Sequence, residues 1–283
     1  MAGKRSSRAA ARRPVVREVE CRTVLNKSGL GGYSINCYTG CEHACVYCYA
    51  RFMQRFHPHP EPWGEFVDVK VNAVEALERQ LKRARPGGVF TSSACDAWQP
   101  LEAKWQLTRE CCRLLTEHGF AVHALTKSAL ITRDFDVLRP GLSRVGVTVT
   151  TLDPRLARLW EPSASPVEQR WDALRAAREA GLATSVMFGP LLPFLSDGQG
   201  SLNALMARAA DVGVDSVWVD AMNRRPRVWP AVGQLVRREF PELHDEYSRL
   251  LHHEPTRTAY VEALRARVRK AAEGAGIADR VSG

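Results

Sequence analysis

The chain has 283 residues, 45% hydrophobic and 25% charged, an ordinary globular composition that excludes wholesale disorder, collagen and fibre. Its length predicts about two domains, or one large α/β barrel. Forty basic against 31 acidic residues leave a formal charge of +9, which suits a polyanion such as nucleic acid, while no apolar run approaches the ~18 residues of a membrane span.

Residues 1–14 read as a disordered basic arm, with Lys4, Arg5, Arg8, Arg12 and Arg13 and no acid. The arm reads equally as a polyanion contact and as a solvated tail. No apolar segment follows it, so it is no secretory signal. Residues 15–30 are a polar–apolar lead-in, and a strand pattern at 33–38 ends in Thr39-Gly40 and a cysteine cluster. Residues 66–71 read as extended, and Asn72 is placed to cap a helix over 73–83. A strand at 88–91 precedes a helix at 101–118, with Leu107, Cys111, Leu114 and His118 on one face. Strands follow at 121–125 and 145–149. A helix at 167–180 closes on Gly181, a strand covers 183–188, a helix at 202–212 closes on Gly213, and a strand covers 216–219. Beyond Met222 the periodicity is helical only, over 228–240, 243–253 and 256–272.

Strands alternating with helices, and apolar on both faces, predict a parallel sheet covered by helices. Six strands, near residues 35, 90, 123, 147, 185 and 217, are too few for an eight-fold barrel. The expected fold is therefore α/β, a partial (β/α)6 TIM-type barrel over 15–220 with a helical C-terminal extension over 221–283.

There are eight cysteines. Cys41, Cys45 and Cys48 crowd into eight residues, which fits thiolate chemistry in a reducing cytoplasm better than disulfides. The spacing C-x3-C-x2-C supplies three soft ligands at the C-terminal end of the first strand, where α/β sheets place chemistry. One reading is a 4Fe–4S cluster with three protein thiolates and one open iron. The other is zinc, its tetrahedron completed by His43, His57 or His59.

The loop, with its aromatic–Cys pair Tyr47-Cys48, resembles that of the radical S-adenosylmethionine superfamily. Further stretches are similar to the spore photoproduct lyase branch and its uncharacterised relatives: Thr91-Ser92-Ser93-Ala94-Cys95-Asp96, Thr126-Lys127-Ser128, Val147-Thr148-Val149-Thr150, Glu161-Pro162-Ser163-Ala164-Ser165-Pro166 and Gly189-Pro190-Leu191-Leu192-Pro193. The resemblance covers roughly residues 30–220. It implies a radical enzyme in which Cys41, Cys45 and Cys48 hold the cluster and S-adenosylmethionine chelates its open iron. An electron then cleaves the sulfonium, and the 5′-deoxyadenosyl radical abstracts hydrogen from the substrate. It also implies an electron donor such as flavodoxin or ferredoxin.

On the same resemblance, Ser93 and Asp96 accept from the cosubstrate's ammonium group, and Lys127 pairs with its carboxylate. Thr148 reaches the carboxylate or a ribose hydroxyl, and Tyr47 stacks beside the adenine. Cys95 and Tyr49 match a hydrogen-donating cysteine and a relaying tyrosine, although serine and cysteine stand in exchanged order in Ser93-Ala94-Cys95. Each also has a plain reading as a turn, strand-end or packing residue.

Glu161 and Arg170 read as a structural pair, and Cys21, Cys37, Cys111 and Cys112 as structural thiols. Asn223-Arg224-Arg225-Pro226-Arg227 is a candidate phosphate clamp or a solvated loop. A nucleic acid or nucleotide is the favoured substrate class, with lesion chemistry on DNA as one form of it. Radical modification of a peptide or metabolite, and a non-catalytic iron–sulfur protein that binds nucleic acid, are the alternatives.

Overall fold

The computed structural model describes residues 14–29, 32–225 and 227–282, so the arm expected over 1–14 lies outside the described residues apart from Pro14. The lead-in contains two strands, β1 (Val15–Val19) and β2 (Leu25–Lys27). The pattern at 33–40 splits at Asn36-Cys37 into β3 (Tyr33–Ile35) and β4 (Tyr38–Gly40). The split sends the two halves to different sheets. β4 pairs antiparallel with β5 (Phe66–Lys70), whose other edge takes β1 in parallel.

Asn72 does not cap α1 (Ala73–Leu81). Its amide instead brackets Cys21, accepting from that N–H at 2.8 Å and donating to the carbonyl at 3.1 Å. After β6 (Gly88–Thr91) the helix expected at 101–118 breaks at Gln106, φ 53°, into α2 (Glu102–Trp105) and α3 (Leu107–Glu117). The chain continues through β7 (Ala121–Thr126), β8 (Arg144–Thr148), α4 (Pro154–Trp160), α5 (Val167–Glu179), β9 (Ala183–Leu191), α6 (Gln199–Val212) and β10 (Ser216–Ala221). Asp153 caps α4 by accepting from the Arg155 and Leu156 N–H groups, with Pro154 in the first turn.

The six strands predicted from the sequence are β3, β6, β7, β8, β9 and β10, and successive members pair in parallel. β2 adds antiparallel to one edge and β11 (Val281–Ser282) parallel to the other, so the eight-stranded sheet is open, a partial barrel. One face is packed by helices. Val145, Val147, Val186, Phe188 and Val217 are fully buried there with Leu174, Ala177, Leu202 and Met206. Alternation turns their neighbours, including Thr148, Met187 and Trp218, to the concave face.

The last sixty residues fold as α7 (Val228–Glu239), α8 (His244–His252) and α9 (Glu254–Gly274). Leu264, Val268, Ala271 and Ala272 of α9 join the main core, and the chain returns to the sheet as β11. A second apolar cluster seats α7 and α8 against the cysteine loop: Val228, Val232, Val236, Tyr247 and Leu251 pack with Cys45, Tyr47 and Trp160. Cys37, without a partner by sequence spacing, meets Cys111 at 3.7 Å between sulfurs. Among the described residues no helix is long and apolar enough to cross a membrane.

Candidate active site

The cysteine loop leaves β4 through Gly40, φ 89°, where a Cβ would fall 2.4 Å from the Phe66 carbonyl oxygen, so a side chain is not tolerated. The loop then folds on itself, the Ala44 N–H donating to the Cys41 carbonyl and the Cys48 N–H to that of Cys45, each at 3.2 Å. Ala44 adopts φ 53° directly over Gly64, where any Cβ would lie 2.6 Å from the alanine's own. Gln99 clamps the loop by accepting from the Glu42 N–H at 2.8 Å and donating to the Gly40 carbonyl at 3.3 Å. These contacts bury Cys41 and Cys45 and leave Cys48 partly exposed.

Burial is the main force raising all three thiols; Asp96 and the other sulfurs raise Cys41 further, and Cys45 is pushed up to about 12 although Lys127 pulls it down. Three thiolates here would repel one another, an arrangement that a cationic ligand reverses. Of the three imidazoles considered as zinc ligands, two face carboxylates within the fold, and His57 is exposed. His43 Nδ1 lies 3.3 Å from Asp96 Oδ2, an electrostatic contact outside hydrogen-bond geometry. The two ring nitrogens of His59 contact Glu61 at 3.3 Å and Asp68 at 3.0 Å. Among the described residues no three His, Cys, Asp or Glu side chains converge as one metal ion requires. Zinc would draw sulfurs to about 3.8 Å from one another; in an iron–sulfur cube each thiolate takes a different iron and stands farther apart.

The loop after β6 is organised by Asn36, which sequence reading missed. Asn36 Oδ1 accepts from Ser92 Oγ at 2.7 Å and from the Ser93 and Ala94 N–H groups at 3.1 and 2.9 Å, while Nδ2 donates to Ser93 Oγ at 3.2 Å. Ser93 thereby keeps its own proton to donate. Asp96, expected to take the ammonium group, is spent inside the fold. Its oxygens accept from the Trp98 N–H (3.0 Å), Thr126 Oγ1 (2.6 Å) and the Lys127 N–H (2.8 Å) and face His43. Burial raises this carboxyl, but His43 and those donors hold it well below the ordinary carboxylate range. Asp96 therefore ties β6, β7 and the cysteine loop together.

Tyr47, expected beside the adenine, is only 5% exposed. Its hydroxyl bonds Glu161, Trp160 stacks at 6.4 Å, and Lys127 Nζ sits 5.7 Å over the ring. The tyrosine thereby links the loop to the barrel. Glu161 and Arg170 form the buried pair expected of them, at 2.6 Å. Lys127 and Thr148 reach the C-terminal rim of the sheet, and among the described residues neither Lys127 Nζ nor the Thr148 hydroxyl has a hydrogen-bond partner. Tyr49, 41% exposed, bonds the Ser93 carbonyl, and the Cys95 thiol lies 3.0 Å from Ser92 Oγ. Of the arginines read as a phosphate clamp, Arg224 pairs with Glu254, and Arg225 lies over the rings of Tyr49 and Phe52 at 6.0 and 5.5 Å. Two of the three are thus committed within the chain.

A model of the radical SAM superfamily matches residues 35–200. The chain belongs to the radical SAM superfamily. It is 32% identical over 183 residues to an uncharacterised protein of Methanocaldococcus jannaschii, covering 64% of this chain and 69% of that one. An uncharacterised protein of Mycobacterium tuberculosis is 31% identical over 266 residues, 89% of this chain and 78% of that one. Among solved structures, a point variant of spore photoproduct lyase superposes with TM-score 0.66 at 14% identity, over 93% of this chain and 80% of the other. The same lyase complexed with dinucleoside spore photoproduct gives TM-score 0.59 at 16% identity, over 80% of this chain and 66% of that one. These likenesses concern the fold, and this chain spans about two thirds of the lyase in that complex.

Radical SAM proteins carry a 4Fe–4S cluster and bind S-adenosylmethionine as general features. The residues here fit that pair of groups. Three thiols are gathered in one loop, and the Lys127 ammonium and the Ser93 and Thr148 hydroxyls, each with a proton left to donate, stand at the adjacent strand ends.

Proposed function

We propose that this radical SAM protein is an enzyme in which Cys41, Cys45 and Cys48 ligate a 4Fe–4S cluster whose remaining iron takes S-adenosylmethionine. When bound and reduced, these groups supply reductive cleavage of the sulfonium and abstraction of hydrogen from a substrate. The protein's part is placement. Lys127, just past β7 and without a hydrogen-bond acceptor among the described residues, pairs with the cosubstrate carboxylate. Ser93, held by Asn36, and Thr148 offer hydroxyls to its polar groups. Burial pushes the Cys95 thiol up to about 12, so at neutral pH it retains a hydrogen atom to return to the product, with Tyr49 at the mouth as a relay. A one-electron carrier of flavodoxin or ferredoxin type reduces the cluster in a reducing cytoplasm. The charge of +9 favours an anionic substrate of the nucleotide class. The observation that carries this reading is the set of three thiols gathered in one loop, two of them buried, with the Lys127 ammonium close enough to pull on Cys45 and Cys48.

Anaerobically reconstituted protein, reduced with dithionite and given S-adenosylmethionine, is expected to release 5′-deoxyadenosine; none from protein with an intact cluster would overturn the enzyme reading. Lys127→Met is expected to weaken S-adenosylmethionine binding about 10- to 100-fold, the worth of a hydrogen bond to a charged group, with the cluster's absorbance retained. Unchanged affinity in equilibrium binding would remove Lys127 from the site.

A further inference from the structure

The side chains of β10 alternate sharply. Val217 is fully buried among the helices, whereas Trp218 stands 56% exposed and Asp220, two residues on, is exposed on the same side. Trp218 is registered with Met187, and Met187 with Thr148. Thr148, Met187 and Trp218 thus form one rung across three strands on the concave face. At about 4.8 Å per strand, the indole stands about 10 Å from Thr148, beside the proposed cosubstrate position and not on it.

A bulge follows. Phe188 opposes Val219 and Leu191 opposes Ala221, so Gly189-Pro190 faces Asp220 alone; bulges beside sites re-aim a side chain in this way. A Cβ at Gly189 would lie 3.2 Å from the Asp220 Cβ and 2.9 Å from the Met187 methyl, so glycine lets carboxylate and thioether close up. Among the described residues no side chain hydrogen-bonds or ion-pairs with the Asp220 carboxylate; the adjacent Ala221 N–H is its hydrogen-bond donor. Burial raises its pKa, against smaller downward pulls from the Ala221 N–H and Arg257.

An exposed indole in the mouth of a parallel sheet is a stacking surface. The carboxylate stands two residues, about 6.6 Å, along the same strand face, within reach of the edge of a ring lying on that indole. A carboxylate only accepts, so the edge it meets must donate. We infer that Trp218 and Asp220 form a subsite for an amino-bearing nucleobase, its ring stacked on the indole and its exocyclic amino group donating to the carboxylate. The subsite rests on the proposed function, which puts the reacting end of the substrate at this mouth.

The test is equilibrium binding to the reconstituted full chain saturated with S-adenosylmethionine, so that the adenine position is filled, with cytidine and uridine as probes. Cytidine is expected to bind at least tenfold more tightly than uridine. Trp218→Ala is expected to cost cytidine about 5- to 150-fold, the value of one base stacked on an aromatic ring, and Trp218→Phe to retain most of the affinity. Asp220→Asn is expected to reverse the preference, because its amide N–H can donate to the uracil carbonyl. Equal binding of cytidine and uridine, or a cytidine preference unchanged by Asp220→Asn, would overturn the subsite. Oligo(dC) of ten residues binding far above cytidine, with oligo(dT) weak, assigns the base to a strand; equal affinity of cytidine and oligo(dC) assigns it to a free nucleoside. Release of 5′-deoxyadenosine by the unsubstituted protein is a separate measurement, and its absence would sink the proposed chemistry while leaving base binding intact.

Discussion

Alanine at position 45 is expected to leave the reconstituted protein without its brown chromophore and to lower 5′-deoxyadenosine release by more than about 100-fold. Removing a hydrogen-bond partner of a metal ligand costs 10- to 100-fold, and removing the ligand itself must cost more. The loop should survive, because alanine keeps the Cβ in the apolar cluster and the hydrogen bonds Cys45 makes are backbone: its carbonyl accepts from the Cys48 N–H at 3.2 Å and from Arg51 at 3.3 Å. Circular dichroism close to that of the unsubstituted protein would therefore separate ligand loss from unfolding. Cys112→Ala, which empties a buried position on α3, is the control and should keep the colour. A Cys45→Ala protein with a full cluster by absorbance and iron content would end the three-thiolate assignment.

Much of this was legible because the signals are local. The cysteine spacing lies within eight residues, the six parallel strands are short apolar runs, and Gly181 and Gly213 mark helix ends wherever the chain goes. What escaped depends on distant partners. Asn36 is one polar residue between two strands, and its role appears only when the loop at Ser92–Ala94, more than fifty residues on, folds over it. Asn72 carries the sequence signature of a cap, yet the Cys21 backbone competes for its amide and wins. Asp96 reads as a free acid at a strand end until His43, Thr126 and the Lys127 N–H close on it. The break at Asn36-Cys37 was hidden because alternation continues through it; β4 belongs to another sheet only because β5 offers an edge. β11, two residues long, has no periodicity to read.

Arg170→Ala is expected to destabilise the protein by about 3–5 kcal/mol, the usual cost of stranding one member of a buried ion pair. In a chain of this size that corresponds to a fall on the order of 10 °C in melting temperature. Arg170 is 1% and Glu161 2% exposed, so water cannot replace the lost partner. The guanidinium uses all three nitrogens: Nε donates to the Ser165 carbonyl at 2.8 Å, one terminal nitrogen to the Thr148 carbonyl at 2.9 Å, and the other meets Glu161 at 2.6 Å. Arg170→Lys keeps the charge but not the fork, and should fall between alanine and the unsubstituted protein. Glu161→Leu combined with Arg170→Met should regain part of the loss, since neither member of the pair is then left as a lone buried charge; the Tyr47 hydroxyl, which also bonds Glu161, and the Lys127 ammonium, which also faces it, keep the recovery incomplete. Because the same fork holds the end of β8, Arg170→Ala should also weaken S-adenosylmethionine binding through Thr148 at a temperature where the variant is still folded. Thermal unfolding of the three variants measures the series, and an Arg170→Ala melting curve matching that of the unsubstituted protein would show that the pair does not hold the loop to the barrel.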